Sequence, residues 1–132
     1  MKGANFGTVI NCMDGRTQEP VSRWMRGRLS LDYVDTITEP GADLVLLEGK
    51  PDVVAALKRK LDISIRKHGS KVVAVVGHHD CAGNPVEKDA HLGHIRDSVR
   101  ALTDMRLGVR VIGLWVGEDW RVEKIEDTEG AE

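Results

Sequence analysis

Three side chains of the kinds that bind zinc stand at the ends of two predicted strands. Cys12 ends the segment Phe6 to Cys12, and His78 and Cys81 follow the segment Lys71 to Gly77. In a parallel α/β sheet the carboxyl ends of the strands meet at one edge, so these side chains can lie together. Two thiolates and one imidazole suit tetrahedral zinc. Because the chain has only two cysteines, the fourth ligand must be another histidine, a carboxylate or water, and an open position with water is typical of catalytic zinc.

Asp14 and Arg16 follow Cys12 at intervals of two residues, so the three side chains project from one side of an extended segment. Arg16 can hold Asp14 in a bidentate ion pair. A carboxylate held in this way stays ionised and can accept a hydrogen bond from a water molecule on the zinc ion. If Arg16 instead releases Asp14, the carboxylate can become the fourth ligand and close the site. We therefore expect Asp14 and Arg16 to be catalytic residues, with Asp14 also a candidate ligand.

Short apolar segments predict four strands, and helical patterns separate them. The predicted strands are Phe6 to Cys12, Tyr33 to Thr38, Lys71 to Gly77 and Val109 to Val116. The predicted helices are Pro20 to about Arg28, Pro51 to about His68 and Pro85 to about Leu102. A last segment, Asp119 to Glu126, alternates imperfectly with charges and predicts an antiparallel edge strand. The fold class expected is a three-layer α/β fold, in which helices flank a mainly parallel four-stranded sheet with this strand at its C-terminal edge.

The third predicted helix begins with a capping pattern. Asn84 can cap it, Pro85 suits its first turn, and Glu87 can complete a capping box. His91 and His94 are three residues apart on this helix, and we expect them on its solvated face.

The length and composition fit one globular domain. The chain has 132 residues, of which 41% are hydrophobic and 30% are charged, and we assign residues 1–126 to this domain and residues 127–132 to a disordered tail. The net charge is −2 with interspersed signs, which predicts no nucleic-acid or membrane partner. The N-terminal sequence lacks the pattern of a secretory leader, so a cytoplasmic location is predicted, and in that reducing compartment the two cysteines are not expected to form a disulfide.

Two motifs resemble those of a known family, the β-class carbonic anhydrases. Cys12-Met13-Asp14-Gly15-Arg16 is similar to the family's Cys-x-Asp-x-Arg signature, and Gly77 to Gly83 contains its His-x-x-Cys signature. The resemblance extends from about Thr8 to Ile125. It implies a zinc enzyme that hydrates carbon dioxide to bicarbonate, with a parallel sheet that carries an antiparallel addition. It also implies a homodimer or higher homo-oligomer.

One segment departs from the family pattern and motivates other functions. Where the family usually has Arg-Asn-Ala-Gly after the second strand, this chain has Thr38-Glu39-Pro40-Gly41. The first hypothesis is hydration of carbon dioxide by a zinc-bound hydroxide that Asp14 orients. The second is hydrolysis of a related small molecule, carbonyl sulfide or carbon disulfide, in a reshaped pocket. The third is a non-catalytic, zinc-stabilised binding domain in which Asp14 is the permanent fourth ligand.

Overall fold

The computed structural model describes residues 3–130, which form five strands and four helices. The strands are β1 (Phe6–Asn11), β2 (Tyr33–Thr38), β3 (Val72–His78), β4 (Arg110–Val116) and β5 (Val122–Asp127). The helices are α1 (Gln18–Arg28), α2 (Ala42–Glu48), α3 (Pro51–Arg66) and α4 (Lys88–Asp104). Within residues 3–130, no helix is both long enough and apolar enough to cross a bilayer.

The strands form one sheet in the order β2-β1-β3-β4-β5. Strands β1 to β4 pair in parallel, and β5 pairs antiparallel with β4. The predicted mainly parallel sheet with an antiparallel C-terminal edge strand is therefore confirmed. From β1 the chain continues to β2 on one side, while β3 lies on the other side, so the strand order changes direction between β1 and β3. This is the position at which open α/β sheets commonly bind ligands, beyond the carboxyl ends of the strands.

Helices cover both faces of the sheet, which explains the unbroken apolar run of β3. Every residue of β3 is buried. Val73 and Val75 pack in the cluster with side chains of α2, α3 and α4, whereas Ala74 and Val76 pack in the cluster with α1. These two clusters are the cores on either side of the sheet, so the three-layer arrangement is also as predicted.

Two helix predictions differ from the structure. Helix α2 was not predicted, because it has only seven residues and lies between Gly41 and Gly49, both of which have positive φ angles. Helix α4 begins after Glu87, three residues beyond the predicted start at Pro85. The predicted capping box is absent, because Asn84 is buried and bonds to other side chains.

The last strand begins and ends later than the sequence pattern predicts. Residues 119–121 precede the strand, because residues 117–120 form a tight turn in which the Trp120 N–H donates to the Gly117 carbonyl and Trp120 has a φ of 62°. Asp127, predicted to start a disordered tail, belongs to β5, and Thr128 continues the pairing by donating its N–H to the Val111 carbonyl. Residues 131 and 132 of the predicted tail lie outside the described residues.

Candidate metal centre

The structure brings Cys12, His78 and Cys81 together at the carboxyl edge of the sheet. Cys12 directly follows β1, His78 is the last residue of β3, and Cys81 lies in the loop after β3. Their side-chain donor atoms all lie within 4.8 Å of one another, and the exposed fractions of the residues are 4%, 1% and 4%. Because β1 and β3 are neighbours in the sheet, residues 69 positions apart in sequence meet here.

The orientation of His78 leaves one nitrogen free to bind. Its Nδ1 lies 2.7 Å from the carbonyl oxygen of His79, so Nδ1 carries the hydrogen and donates it. Nε2 then presents a lone pair, and it is one of only two buried side-chain nitrogen or oxygen atoms without a hydrogen-bond partner in residues 3–130. A buried acceptor that faces two sulfurs and has no donor is the arrangement that a metal ligand requires.

The distance between the two sulfurs also fits a zinc ion. The Sγ atoms of Cys12 and Cys81 are 4.0 Å apart, far longer than a disulfide bond. Two sulfurs on a tetrahedral zinc ion are about 3.8 Å apart, given zinc–sulfur bonds of about 2.3 Å. The donor types, their number and their spacing therefore fit one Zn²⁺ ion with a fourth position left for another ligand.

The two thiols influence each other strongly. The interaction with Cys81 is the largest cause that lowers the pKa of Cys12 to about 4, and His78 and the backbone N–H groups of Gly41 and Asp14 act in the same direction. The same interaction and burial raise the pKa of Cys81, which the N–H groups of Asn84 and Gly83 partly oppose. The pair therefore holds one negative charge readily and a second only when a cation compensates it.

Asp14 and Arg16 form the predicted bidentate pair beside these donors. Arg16 donates from Nε to Asp14 Oδ1 at 3.0 Å and from a terminal nitrogen to Oδ2 at 2.7 Å. These bonds are the main reason that the pKa of Asp14 falls to about 2. Asp14 Oδ2 also lies 4.0 Å from His78 Nε2, so an ionised carboxylate borders the donor cluster while Arg16 holds it.

Two further residues hold Arg16. Its guanidinium donates to the backbone carbonyl of Asp80 at 3.1 Å and approaches the Asp80 carboxylate at 3.3 Å. Its Cζ lies 4.6 Å from the centre of the Trp120 ring, within the range of a cation–π contact. Arg16 thus links the loop after β1 to the loop after β3 and to the turn before β5. Neither contact was predicted, because each depends on tertiary structure.

A buried polar group behind the cluster was also missed. His91, expected on a solvated face, is buried and contacts Asp43 of α2, with 2.6 Å between His91 Nδ1 and Asp43 Oδ2. Asn84 bonds to the other oxygen of Asp43 and to His94. The error arises because three-residue spacing shows only that two side chains share a helix face, and it does not show which face is covered.

The loops after β2 and β3 touch backbone to backbone at Gly41 and Gly83. A side chain on Gly41 would have its Cβ 2.7 Å from the carbonyl carbon of Gly83, and one on Gly83 would overlap the backbone nitrogen of Gly41. Gly41 also has a φ of 68°, which disfavours other residues. This close contact fixes the two loops as neighbouring walls of the site, and the N–H of Gly41 contributes to the lowered pKa of Cys12.

Comparisons with known proteins agree with the fold. A family model described as "Putative carbonic anhydrase" matches residues 2–126. A search of curated proteins gives no match. Among solved structures, the carbonic anhydrase from Streptococcus mutans aligns with a TM-score of 0.59 at 19% identity, over 90% of this chain and 81% of that chain.

Two further structures give similar values. The carbonic anhydrase from Glaciozyma antarctica aligns with a TM-score of 0.58 at 18% identity, over 89% of this chain and 80% of that one. A structure from a study of two tetrameric β-carbonic anhydrases of Sordaria macrospora aligns with a TM-score of 0.57 at 12% identity, over 93% and 82%. At these identities the structural matches show a shared fold.

Proposed function

Because the chain belongs to the β-class carbonic anhydrase family, we propose that Cys12, His78 and Cys81 bind one Zn²⁺ ion and that the protein hydrates carbon dioxide to bicarbonate. The observation that carries the proposal is the convergence of three buried donors within 4.8 Å, one of them a histidine nitrogen without a partner. Zinc bound to such a set supplies a Lewis acid that lowers the pKa of a coordinated water molecule to about 7.

The residues around the three donors would prepare the reaction. Asp14 is ionised at neutral pH, since Arg16 holds its pKa at about 2, and it can therefore only accept hydrogen bonds. Lying 4.0 Å from His78 Nε2, its carboxylate can accept a hydrogen bond from the attacking water and so orient a lone pair toward carbon dioxide. Arg16 keeps Asp14 in this orientation and away from direct metal binding. Hydration releases one proton, which passes to the buffer.

A cavity that one of the three donors, Cys81, lines is large enough for a small substrate. A cavity of about 360 Å³ opens next to Cys81, and its walls include His79, Asp80, Val86 and Trp115. Carbon dioxide and bicarbonate need only a small part of this volume. A cavity of this size also admits other small linear molecules.

A second candidate is hydrolysis of carbonyl sulfide or carbon disulfide on the same residues. The segment Thr38-Glu39-Pro40-Gly41, whose last residue contributes to the lowered pKa of Cys12, departs from the Arg-Asn-Ala-Gly that the family usually has there. A reshaped loop at this position favours a change of substrate rather than of chemistry. Turnover of the sulfur compounds above that of carbon dioxide would support this candidate.

The experiment combines zinc analysis with stopped-flow carbon dioxide hydration between about pH 6 and pH 9, the range that brackets the titration of zinc-bound water. We expect one zinc ion per chain and activity that rises with pH. Zinc without hydration of carbon dioxide or hydrolysis of the sulfur compounds would instead favour the zinc-stabilised binding domain, with Asp14 as fourth ligand. Absence of zinc from freshly purified and zinc-reconstituted protein would overturn the proposal.

We further propose that the protein forms a homodimer or higher homo-oligomer in the cytoplasm. The support is the similarity in fold to a structure from a study of two Sordaria macrospora enzymes, which are described as tetrameric. Light scattering coupled to size-exclusion chromatography measures the assembly directly. A monomer at micromolar concentration would contradict this part of the proposal.

A further inference from the structure

Three buried polar side chains lie behind the metal donors and have no part in the proposed reaction. Asp43 comes from α2, Asn84 from the loop after β3, and His91 from α4, and each is at most 1% exposed. Polar side chains at this depth are costly to bury unless their hydrogen bonds are made. Their bonds therefore indicate what the group holds in position.

The carboxylate of Asp43 joins the other two side chains. Its Oδ2 accepts a hydrogen bond from His91 Nδ1 at 2.6 Å, and its Oδ1 accepts one from Asn84 Nδ2 at 3.1 Å. Asn84 Nδ2 also donates to His94 Nδ1 at 3.0 Å, so α4 holds the Asn84 side chain a second time. The Ser98 hydroxyl donates to the backbone carbonyl of Asp43 at 2.9 Å. Asp43 thus fixes the start of α2 and the loop after β3 against α4.

The loops on either side of this group touch backbone to backbone at Gly41 and Gly83. The N–H groups of Asn84 and Gly83 oppose the rise in the pKa of Cys81, and the N–H of Gly41, two residues before Asp43, lowers the pKa of Cys12. Such N–H groups stabilise thiolates, because a negative sulfur accepts a hydrogen bond more strongly than a neutral one. The positions of these donors depend on where Asp43 holds the two loops.

Gly77 makes room for this arrangement. A side chain there would have its Cβ 2.7 Å from Asp43 Oδ2, so the carboxylate rests directly against β3, one residue before the ligand His78. A buried pair that served only stability could be replaced by apolar side chains without loss. Its location between both sulfur-bearing loops and the strand of the histidine instead indicates a role at the metal site.

We propose that Asp43, Asn84 and His91 are positioning residues, which hold backbone N–H donors against the sulfurs of Cys12 and Cys81 and thereby strengthen zinc binding. The inference rests on the proposed zinc site. None of the three residues touches the metal or the substrate, so their effect is expected on metal affinity and on the electronic character of the sulfur ligands.

The test measures zinc affinity by competition with a chelator in three variants, Asp43→Asn, Asn84→Ala and His91→Leu. Asn at position 43 has one acceptor oxygen where two are needed, and Ala at position 84 keeps the backbone N–H but loses the side chain that fixes it. We expect each variant to bind zinc about 10-fold to 100-fold more weakly, the usual effect of residues that orient ligands. In the cobalt-substituted protein, the thiolate-to-metal absorption band is expected to shift.

Two further variants separate positioning from stability. His91→Asn keeps an N–H near the position of Nδ1 and should bind zinc within about twofold of wild type, the agreement expected when an interaction is preserved. Thr8→Val removes buried hydrogen bonds toward the other end of the sheet, and it should lower the free energy of unfolding without changing zinc affinity or the cobalt band. Unfolding of the metal-free proteins in urea measures the stability of every variant.

The outcomes distinguish this inference from the proposed function. If wild type binds zinc tightly and the three variants bind it equally tightly, the positioning role is wrong and the zinc site stands. An affinity loss in Thr8→Val as large as in the three variants would also overturn it, since the effect would then follow stability. If wild type does not bind zinc, the proposed function and this inference both fail.

Discussion

Two aspartate–arginine pairs in this protein have nearly the same geometry and different surroundings. In the Asp14–Arg16 pair the two hydrogen bonds measure 3.0 and 2.7 Å, and in the Asp127–Arg110 pair they measure 3.1 and 2.7 Å. The first pair lies beside the metal donors at the carboxyl edge of the sheet. The second joins β4 to β5 at the opposite edge, where Lys124 also binds Asp127 at 2.6 Å.

The difference between the pairs lies in the groups around them. Asp127 is bound by two cations, and its carboxylate is 2% exposed, so little of it remains for another partner. Asp14 is closer to solvent and has the unpartnered Nε2 of His78 at 4.0 Å. The geometry of an ion pair therefore does not identify its role. Its role is indicated by whether a neighbouring polar atom lacks a hydrogen-bond partner, because a fully bonded polar group is structural and one without a partner can bind a ligand.

The same contrast holds for uncharged groups. Toward the amino edge, the Thr8 hydroxyl lies 2.6 Å from that of Ser64 and 2.7 Å from that of Ser70, and Ser64 donates to Asp35. Each of these three buried hydroxyl groups has a partner. Of the two buried side-chain nitrogens without partners in residues 3–130, that of His78 faces the sulfurs, and that of His91 belongs to the ring that bonds to Asp43 behind them.

The largest expected effect comes from removing a metal donor. Cys81→Ser replaces a soft sulfur with a poorer ligand and should weaken zinc binding by more than the roughly 100-fold that surrounding residues cause, with carbon dioxide hydration lost in parallel. Zinc content after dialysis and stopped-flow rates measure both. Thr8→Val is the matched control at the other edge and should retain its zinc. Unchanged zinc content in Cys81→Ser would remove the basis of the metal site.

The second prediction compares the effects on activity of replacing Asp14 and of replacing Asp127. Asp14→Asn should lower kcat/KM for carbon dioxide about 100-fold, the lower end of the range for a lost acid–base group, while zinc content stays near one per chain. Asp127→Asn should leave kcat/KM unchanged. Steady-state hydration rates at equal zinc loading decide the matter. Equal activity of Asp14→Asn and wild type would make both ion pairs structural.

The third prediction concerns the stability of the protein rather than its activity. Hydrogen bonds from Arg110, the larger cause, and from Lys124 hold the pKa of Asp127 well below its usual range. Asp127→Asn should therefore lower the free energy of unfolding by roughly 2 kcal/mol at neutral pH. A carboxyl group whose pKa is lowered by folding stabilises the protein fully above its unfolded-state pKa of about 3.9, and this contribution is lost as the pH falls further. The difference between wild type and variant should therefore shrink between about pH 5 and pH 2.

Urea unfolding of the metal-free proteins across this range provides the measurement. Metal-free protein is needed because bound zinc would add its own pH-dependent stability. A difference that stays constant down to the lowest pH would show that the Asp127 ion pairs do not contribute through the charge of the carboxylate.

The smallest expected effect comes from removing the ion pair between Arg16 and Asp80. Asp80 is an exposed partner of Arg16, with 71% of its side chain accessible, and exposed ion pairs contribute little. Asp80→Asn keeps a residue that tolerates the φ of 57° found there and should lower kcat/KM by about twofold to fivefold. A loss as large as that of Asp14→Asn would mean that the Asp80 contact matters to activity as much as the Asp14 carboxylate does.

Much of the fold and the three donors could be predicted because their signals are local. Apolar runs mark β1 to β4, and Cys12, His78 and Cys81 occur where these runs end. Once the strands are parallel, their ends must meet. The Asp14–Arg16 pair could be predicted for the same reason, because its members are two residues apart.

The missed features depend on contacts between distant residues. Asp43 and His91 are 48 positions apart and meet only because α2 and α4 pack on the same face of the sheet. The short α2 has too few residues for a recognisable helical period. The late start of β5 follows from a tight turn in which Trp120 has positive φ, a conformation that its residue type does not suggest.

The contact between Gly41 and Gly83 has a consequence for anyone who wishes to redesign the substrate preference of this site. Both positions border the donors, and both would be obvious members of a mutant library. Neither tolerates a side chain, because each would meet the backbone of the other loop. A library that varies Met13, Glu39 and Val86 and keeps the two glycines fixed should contain more folded members, and the variation would then fall on side chains rather than on the backbone that holds the sulfurs.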